Sequence, residues 1–270
     1  MSEKTTIRVA AIADIHFPKT SGETLYPLFT AIAESADILL LCGDIVDYGL
    51  PEEARLFTRD VLACVNIPIL GVLGNHEYES GNHEEVRHIF IDAGVTVLDG
   101  EACEIHGIGF AGVKGFAGGF GERALQPWGE PTIKQFVHET VNEALKLESA
   151  LAKLRTPQRI ALLHYSPIQT TIEGEPAEIF PFLGSSRLEE PLNRYAVTAV
   201  FHGHAHRGRV EGRTKELFPV YNVAMSLLQH VFPDRPPFRL VDIPIVNTKG
   251  ASSWRPHAAA TSPPGPLSSK

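Results

Sequence analysis

Five short segments of this chain carry side chains that could hold a metal ion or move a proton. They are Asp14 and His16 in ADIH, Asp44 and Asp47 in GDIVD, Asn75, His76 and Glu77 in GNHE, His164 in LLHYS, and His204 and His206 in GHAH. Each follows an apolar run. Singly, an Asp or His in that place most often caps a loop. Together they supply carboxylates, an amide and several imidazoles with no thiolate, and such groups are costly to gather unless something pairs with them. Oxygen and imidazole donors suit Mn, Fe, Co, Ni or Zn, whereas a set without cysteine is unlike a structural zinc site. The donors outnumber what one ion needs. We expect two divalent ions per chain, about 3.5 to 4 Å apart and sharing a carboxylate, as used for in-line displacement at phosphorus.

The runs ahead of these segments read as strands buried on both faces: IRVAAIAD (7–14), ADILLLCGD (36–44), IPILGVLGN (67–75), RIALLHYSP (159–167) and VTAVFHG (197–203). Helical spacing recurs between the first three, over 23–36 and over 51–65, where Pro51 and two acids form a usual helix start. The pattern is that of an α/β protein, and open α/β sheets bind ligands at the carboxyl ends of their strands. In the middle, VTVLDGEACEI and IGFAGVKGF read as two short strands with turns at Asp99-Gly100 and Gly107, and a long helix is expected over 132–154. PVYNVA and FRLVDIPIV read as terminal strands. Residues 1–248 are expected to form one domain, and the Ser, Pro, Ala and Gly-rich stretch 249–270, with Trp254 and His257, a disordered tail.

Composition narrows the function. In 270 residues the net charge is -8, which leaves no basic face for duplex nucleic acid. With no signal-like or membrane-spanning apolar run, the chain reads as cytoplasmic and free of membrane contact. Cys42, Cys64 and Cys103 are odd in number, far apart and without a CxxC pair, so we expect reduced thiols in a core.

DIH, GDIVD, GNHE, the single His164 and GHAH, in that order, resemble the five-block signature of the calcineurin-like metallophosphoesterase superfamily. The resemblance implies a four-layer α/β/β/α sandwich of two mixed sheets flanked by helices. It also implies a first metal held by Asp14, His16, Asp44 and His206, and a second held by Asp44, Asn75, His164 and His204. His76 would sit beside the metals and protonate the leaving oxygen, Asp47 would accept from His76 and fix its orientation, and Asn75 and His76 would bind the phosphoryl oxygens. A hydroxide bridging the metals would attack phosphorus in line. The metals implied are Mn or Fe first, with Zn, Ni or Co as alternatives.

Phosphoprotein phosphatases of that superfamily clamp a terminal phosphate with arginines at two positions that here carry Tyr48, in GDIVDYG, and Leu73, just before GNHE. A bidentate arginine suits a dianionic monoester, so its absence favours a small-molecule phosphodiester, such as a cyclic nucleotide. Arg207, Arg209 or Lys114 could supply charge from another side. A phosphomonoesterase or protein phosphatase, a single-strand nuclease and a metal-binding scaffold are the competing readings, and the oligomeric state is left open. Aromatic residues in loops 114–131 (Phe116, Phe120, Trp128) and 165–186 either pack those loops onto the core or stack on substrate. His202 is expected to support its turn, and Glu77 either accepts a hydrogen bond or starts a helix. His83, His88 and His138 belong to helix faces, while His106 and His230 are possible site contacts.

Overall fold

The computed structural model describes residues 5–19 and 25–245, so the tail expected from 249, with Trp254 and His257, lies outside the described residues. In chain order the elements are β1 (Thr6–Ile12), α1 (Tyr26–Ser35), β2 (Ile38–Cys42), α2 (Pro51–Asp60), β3 (Ile69–Val72), α3 (His83–Asp92), β4 (Val95–Val97), β5 (Glu101–Ile105) and β6 (Ile108–Gly112). There follow α4 (Pro131–Lys153), β7 (Gln158–Leu162), α5 (Phe180–Leu183), α6 (Glu189–Arg194), β8 (Ala199–His202), β9 (Glu211–Arg213), β10 (Pro219–Asn222), α7 (Met225–Val231) and β11 (Arg239–Pro244). No helix among them is long and apolar enough to cross a membrane.

The strands form two mixed sheets, in the orders β11-β1-β2-β3-β4 and β5-β6-β7-β8-β10-β9. Within each, the central strands run parallel and antiparallel partners close the edges, β11 on the first sheet and β5 and β9 on the second. Successive strand side chains face opposite sides, so a continuous apolar run serves two cores. Ile7, Val9 and Ala11 of β1 and Ile38, Leu40 and Cys42 of β2 meet Phe110, Ile160, Leu162 and Phe201 between the sheets. Ala10, Ile12, Leu39 and Leu41 face outward onto Phe29, Ile32, Phe57 and Phe90 of α1, α2 and α3. On the far side, Ala111, Ala161 and Val200 pack under Leu147 and Leu151 of α4 and Leu192 of α6. The result is the four-layer α/β/β/α sandwich.

Several elements differ from the sequence reading. Residues 95–105, read as part of one segment with a turn at Asp99-Gly100, are two strands in different sheets, because the chain crosses the sandwich at that turn. Leu98 N–H donates to Gly71 of the first sheet and Gly100 N–H to Gly112 of the second, and Gly100 takes φ +90°. Helix α2 starts at Pro51 as expected but gives way after Asp60 to a 3₁₀ turn at Leu62–Cys64. Strand β9 and helix α7 carry no clear period in the sequence. All three cysteines are free, and Cys42 is buried between the sheets.

Candidate metal centre

Parallel strands put their carboxyl ends on one edge of the sandwich, and the five segments gather there. Backbone hydrogen bonds tie their turns together: Asp14 N–H donates to Gly43 O at 3.0 Å, His16 N–H to Asp44 O at 3.0 Å, and Gly203 N–H to His164 O at 3.1 Å. Four of the donor residues have positive φ despite bearing side chains, namely Asp14 (55°), His16 (47°), Asp44 (47°) and His204 (69°). Such strain persists where surrounding structure imposes it, and it collects at functional sites. The glycines before Asp44, Asn75 and His204 have a steric reason, and a Cβ on Gly43 would lie 2.5 Å from His164 Nδ1. A Cβ on Gly74 would lie 2.1 Å from Asp44 Oδ1, and one on Gly203 would lie 2.4 Å from Asp14 Oδ2.

Two groups of candidate ligand atoms form, each within 4.8 Å: Asp14, His16 and His206, and Asp44, His164 and His204. Between them stands Asp44 Oδ2, 3.3 Å from His164 Nε2, 3.9 Å from His76 Nε2 and 4.0 Å from His16 Nε2. Asn75 Oδ1 lies 3.0 Å from His164 Nε2, and His206 Nε2 lies 3.0 Å from Asp14 Oδ1. A third group, His16, Asp47 and His76, overlaps the first at His16.

Backbone carbonyls decide which nitrogens are free. A carbonyl only accepts, so the ring nitrogen facing it carries the hydrogen. His164 Nδ1 donates to Cys42 O at 3.0 Å, leaving Nε2 to face Asn75 Oδ1 and Asp44 Oδ2. His204 Nε2 donates to Phe182 O at 3.2 Å, leaving Nδ1 for its group. His16 Nε2 is buried without any hydrogen-bond partner. Lone pairs converging on one another, with a nitrogen orphaned among them, fit a site built for cations.

His76 Nδ1 donates to the backbone carbonyl of Asp47 at 2.5 Å, so its Nε2 faces the centre. Asp47 thus accepts from His76 through its main chain. Its carboxylate turns to His16 Nδ1 at 3.6 Å, and its N–H donates to Phe17 O at 3.2 Å.

The sequence profile of the calcineurin-like phosphoesterases matches residues 7–208. The chain belongs to this family. It is 26% identical over 182 residues to a probable glycerophosphodiester phosphodiesterase GpdQ of Arcobacter nitrofigilis, covering 63% of this chain and 57% of that one. It is 33% identical over 106 residues to an uncharacterised metallophosphoesterase of Aquifex aeolicus, covering 38% of this chain and 40% of that one. The chain therefore spans about half the length of these curated relatives. Among solved structures, the phosphopantetheinyl hydrolase PptH of Mycobacterium tuberculosis superposes with a TM-score of 0.60 at 16% identity, over 91% of this chain and 98% of that one. A protein of Thermus thermophilus superposes with a TM-score of 0.53 at 13% identity, over 90% of this chain and 100% of that one. Both share the fold.

Burial opposes charge throughout the centre, and proximity overrules it at two pairs, Asp44 with His164 and Asp14 with His206, where the Asp14 hydrogen bond raises the imidazole against burial. Burial alone would raise Asp44, yet His164 and the His76 N–H hold its carboxyl well below the usual range. Burial likewise works against a charged His164, but Asp44 lifts it to about 9. Burial takes His204 down to about 4, helped by His164, and His202 down to about 4.

Three supporting side chains complete the centre. Glu77 is fully buried and accepts the N–H groups of Asp44, Ile45, Val46 and Gly74 at 2.5 to 3.1 Å, which pins the second block to the third. Of its two expected roles, acceptor is the one it fills. Burial and Asp44 push its carboxyl up to about 7, against the pull of those N–H groups. His202 donates through Nδ1 to Gly203 O at 2.8 Å and accepts at Nε2 from Thr171 Oγ1 at 2.8 Å, so it supports the turn as expected. Asn222, not singled out in the sequence, donates to Ala205 O at 2.7 Å and holds the GHAH loop from the other side.

The remaining histidines stand apart from the centre. His83 stacks on Tyr78, His88 caps back onto Glu84 O, and His138 and His230 are exposed on helices. His106 lies in the β5–β6 hairpin turn, at the opposite edge of the second sheet. Tyr165, the first residue of loop 165–186, is grouped in the sequence with the other aromatic residues there and not singled out, although its place after His164 is a signal. Its ring lies 4.4 Å from that of His204.

Proposed function

We propose that this chain is a dinuclear-metal phosphodiesterase of small molecules. The observation that carries the reading is the place of Asp44, whose Oδ2 stands between the donors of the first group and those of the second. Asp14, His16, Asp44 and His206 would hold one ion, and Asp44, Asn75, His164 and His204 the other, with Mn or Fe the metals best suited to this mixed donor set. When bound, the two cations acidify a water to make a nucleophile at neutral pH and draw charge from the phosphoryl group. Asn75 offers its amide to a phosphoryl oxygen. His76, its Nδ1–H fixed on Asp47 O, presents Nε2 to the leaving oxygen and, in its doubly protonated form, delivers the Nε2 proton there.

A diester fits the surroundings better than a monoester dianion. Tyr48 is exposed and Leu73 is buried where arginines would clamp a terminal phosphate. Of the other cations considered, Arg209 is paired with Glu173 at 2.9 Å, the Lys114 ammonium lies over the rings of Tyr78, Phe116 and Tyr165, and Arg207 is exposed just past the GHAH loop, its backbone N–H held by Glu175. The likeness to a probable glycerophosphodiester phosphodiesterase points the same way. With Mn²⁺ added, purified protein should hydrolyse bis(p-nitrophenyl) phosphate with a higher kcat/KM than p-nitrophenyl phosphate. A reversed preference would overturn the diester reading, and no turnover with two ions bound per chain would favour a scaffold.

A further inference from the structure

The sequence FPFL, helix α5, sends neighbouring apolar residues to opposite fates. Leu183 is buried in a small cluster with Ile172 and Ala205, against which Phe120 and Phe180 pack. Phe182, between them in the chain, is 57% exposed. An isolated exposed aromatic is ordinary, so its surroundings decide what it means.

The backbone around Phe182 is tightly fixed. The two long loops are stitched together by Gly118 N–H to Pro181 O at 2.7 Å, Gly119 N–H to Gly184 O at 2.9 Å and Ser186 N–H to Gly119 O at 3.1 Å. The first loop is in turn anchored to α4, through Thr140 Oγ1–H to Ala117 O at 2.6 Å and Gly115 N–H to buried Glu143 at 2.8 Å. Phe182 is therefore held outward by an ordered frame.

It is also held beside the metal donors. Its carbonyl accepts the His204 Nε2–H at 3.2 Å, and a phenylalanine ring lies within roughly 5 Å of its own carbonyl. A continuous series of rings joins the two places. His164 and His204 are 4.9 Å apart, His204 and Tyr165 4.4 Å, Tyr165 and Phe116 5.9 Å, Phe116 and Phe136 5.0 Å, and Phe136 and Phe182 6.5 Å. The series starts at the candidate ligands, runs through buried Tyr165 and half-buried Phe116 and Phe136, and ends in the open ring of Phe182.

We propose that Phe182 is the specificity-determining contact for the ester substituent, and that this chain selects diesters carrying a flat aromatic group over those with a small alkyl or polyol group. The proposal rests on the phosphodiester reading above. A substituent on a phosphorus held at the metal centre extends outward by several bond lengths, which brings an aromatic group to the Phe182 ring for stacking or edge-to-face contact.

The test uses phenyl p-nitrophenyl phosphate and ethyl p-nitrophenyl phosphate, which share a leaving group and differ in the substituent retained. The intrinsic reactivities of the two esters cancel when the phenyl-to-ethyl ratio of kcat/KM is compared between wild type and variant. Phe182→Ala should lower that ratio about 5- to 10-fold, mainly through KM of the phenyl ester, and Phe182→Tyr should restore it. Equal losses on both esters would overturn the proposal while leaving the diester reading intact. Turnover of neither ester by the Mn²⁺-loaded wild type would defeat the diester reading and the proposal together.

Discussion

On the first sheet, Asp14, Asp44 and Asn75 leave their strands in tight turns; one buried carboxylate, Glu77, ties the last two together through four backbone N–H groups, and the Asp14 N–H joins them at Gly43 O. On the second, His164 and His204 leave strands flanked by long loops, and neutral groups, His202, Thr171 and Asn222, hold their positions. The first rim is built for charge and the second for shape. Carboxylates need donors aimed at them in a dry place, which favours short turns with fixed N–H groups. The imidazole rim needs only its ring nitrogens oriented, which leaves its loops open to form a substrate wall. The loops do this with Phe116 and Phe120 packed inward, as one of the two expectations had it, and with Phe182 and Trp128 left outward.

This division can be probed from both sides. The largest effect should come from Asp44→Asn, which removes the carboxylate common to both groups. We expect bound Mn²⁺ to fall below one equivalent by elemental analysis and turnover to drop on the order of 1000-fold. Retention of two ions would show that Asp44 is not shared. His76→Ala should keep both ions and lose roughly 100-fold or more in kcat, with greater loss on poor leaving groups. A parallel loss of metal would make His76 a ligand instead. Stability separates the rims next. Glu77→Ala should cost about 3 kcal/mol in urea unfolding, since it leaves several buried N–H groups unpaired, whereas Asn222→Ala on the other rim should cost about 1 to 2 kcal/mol. Equal costs would erase the contrast between charged and neutral support. Trp128→Ala, on a residue 67% exposed, should change stability by less than about 0.5 kcal/mol.

The legible parts of this molecule are those fixed by local chemistry. Asp14, His16, Asp44, Asn75, His164, His204 and His206 could be singled out because they lie at or just past the ends of buried strands, and the apolar runs gave the α/β pattern, whereas the four layers were an expectation from the family resemblance. The rest depended on contacts distant in sequence. His204 N–H meets the Asp14 carboxylate across 190 positions, and nothing near either residue announces the pairing. The crossing at Asp99-Gly100 looks like a hairpin turn because a glycine at positive φ serves both. Asp47 accepts from His76 through its carbonyl and turns its carboxylate to His16, a division that side-chain type does not reveal. Phe182 is one aromatic among several in its loop until the frame around it is known.

The central claim is that one edge of this sandwich holds two cations with Asp44 between them. Anomalous diffraction from crystals of the Mn²⁺-loaded protein tests it most directly. The account predicts two peaks, one beside Asp14, His16 and His206 and one beside Asn75, His164 and His204, with Asp44 touching both. A single peak, or one enclosed by His16, Asp47 and His76, would contradict it.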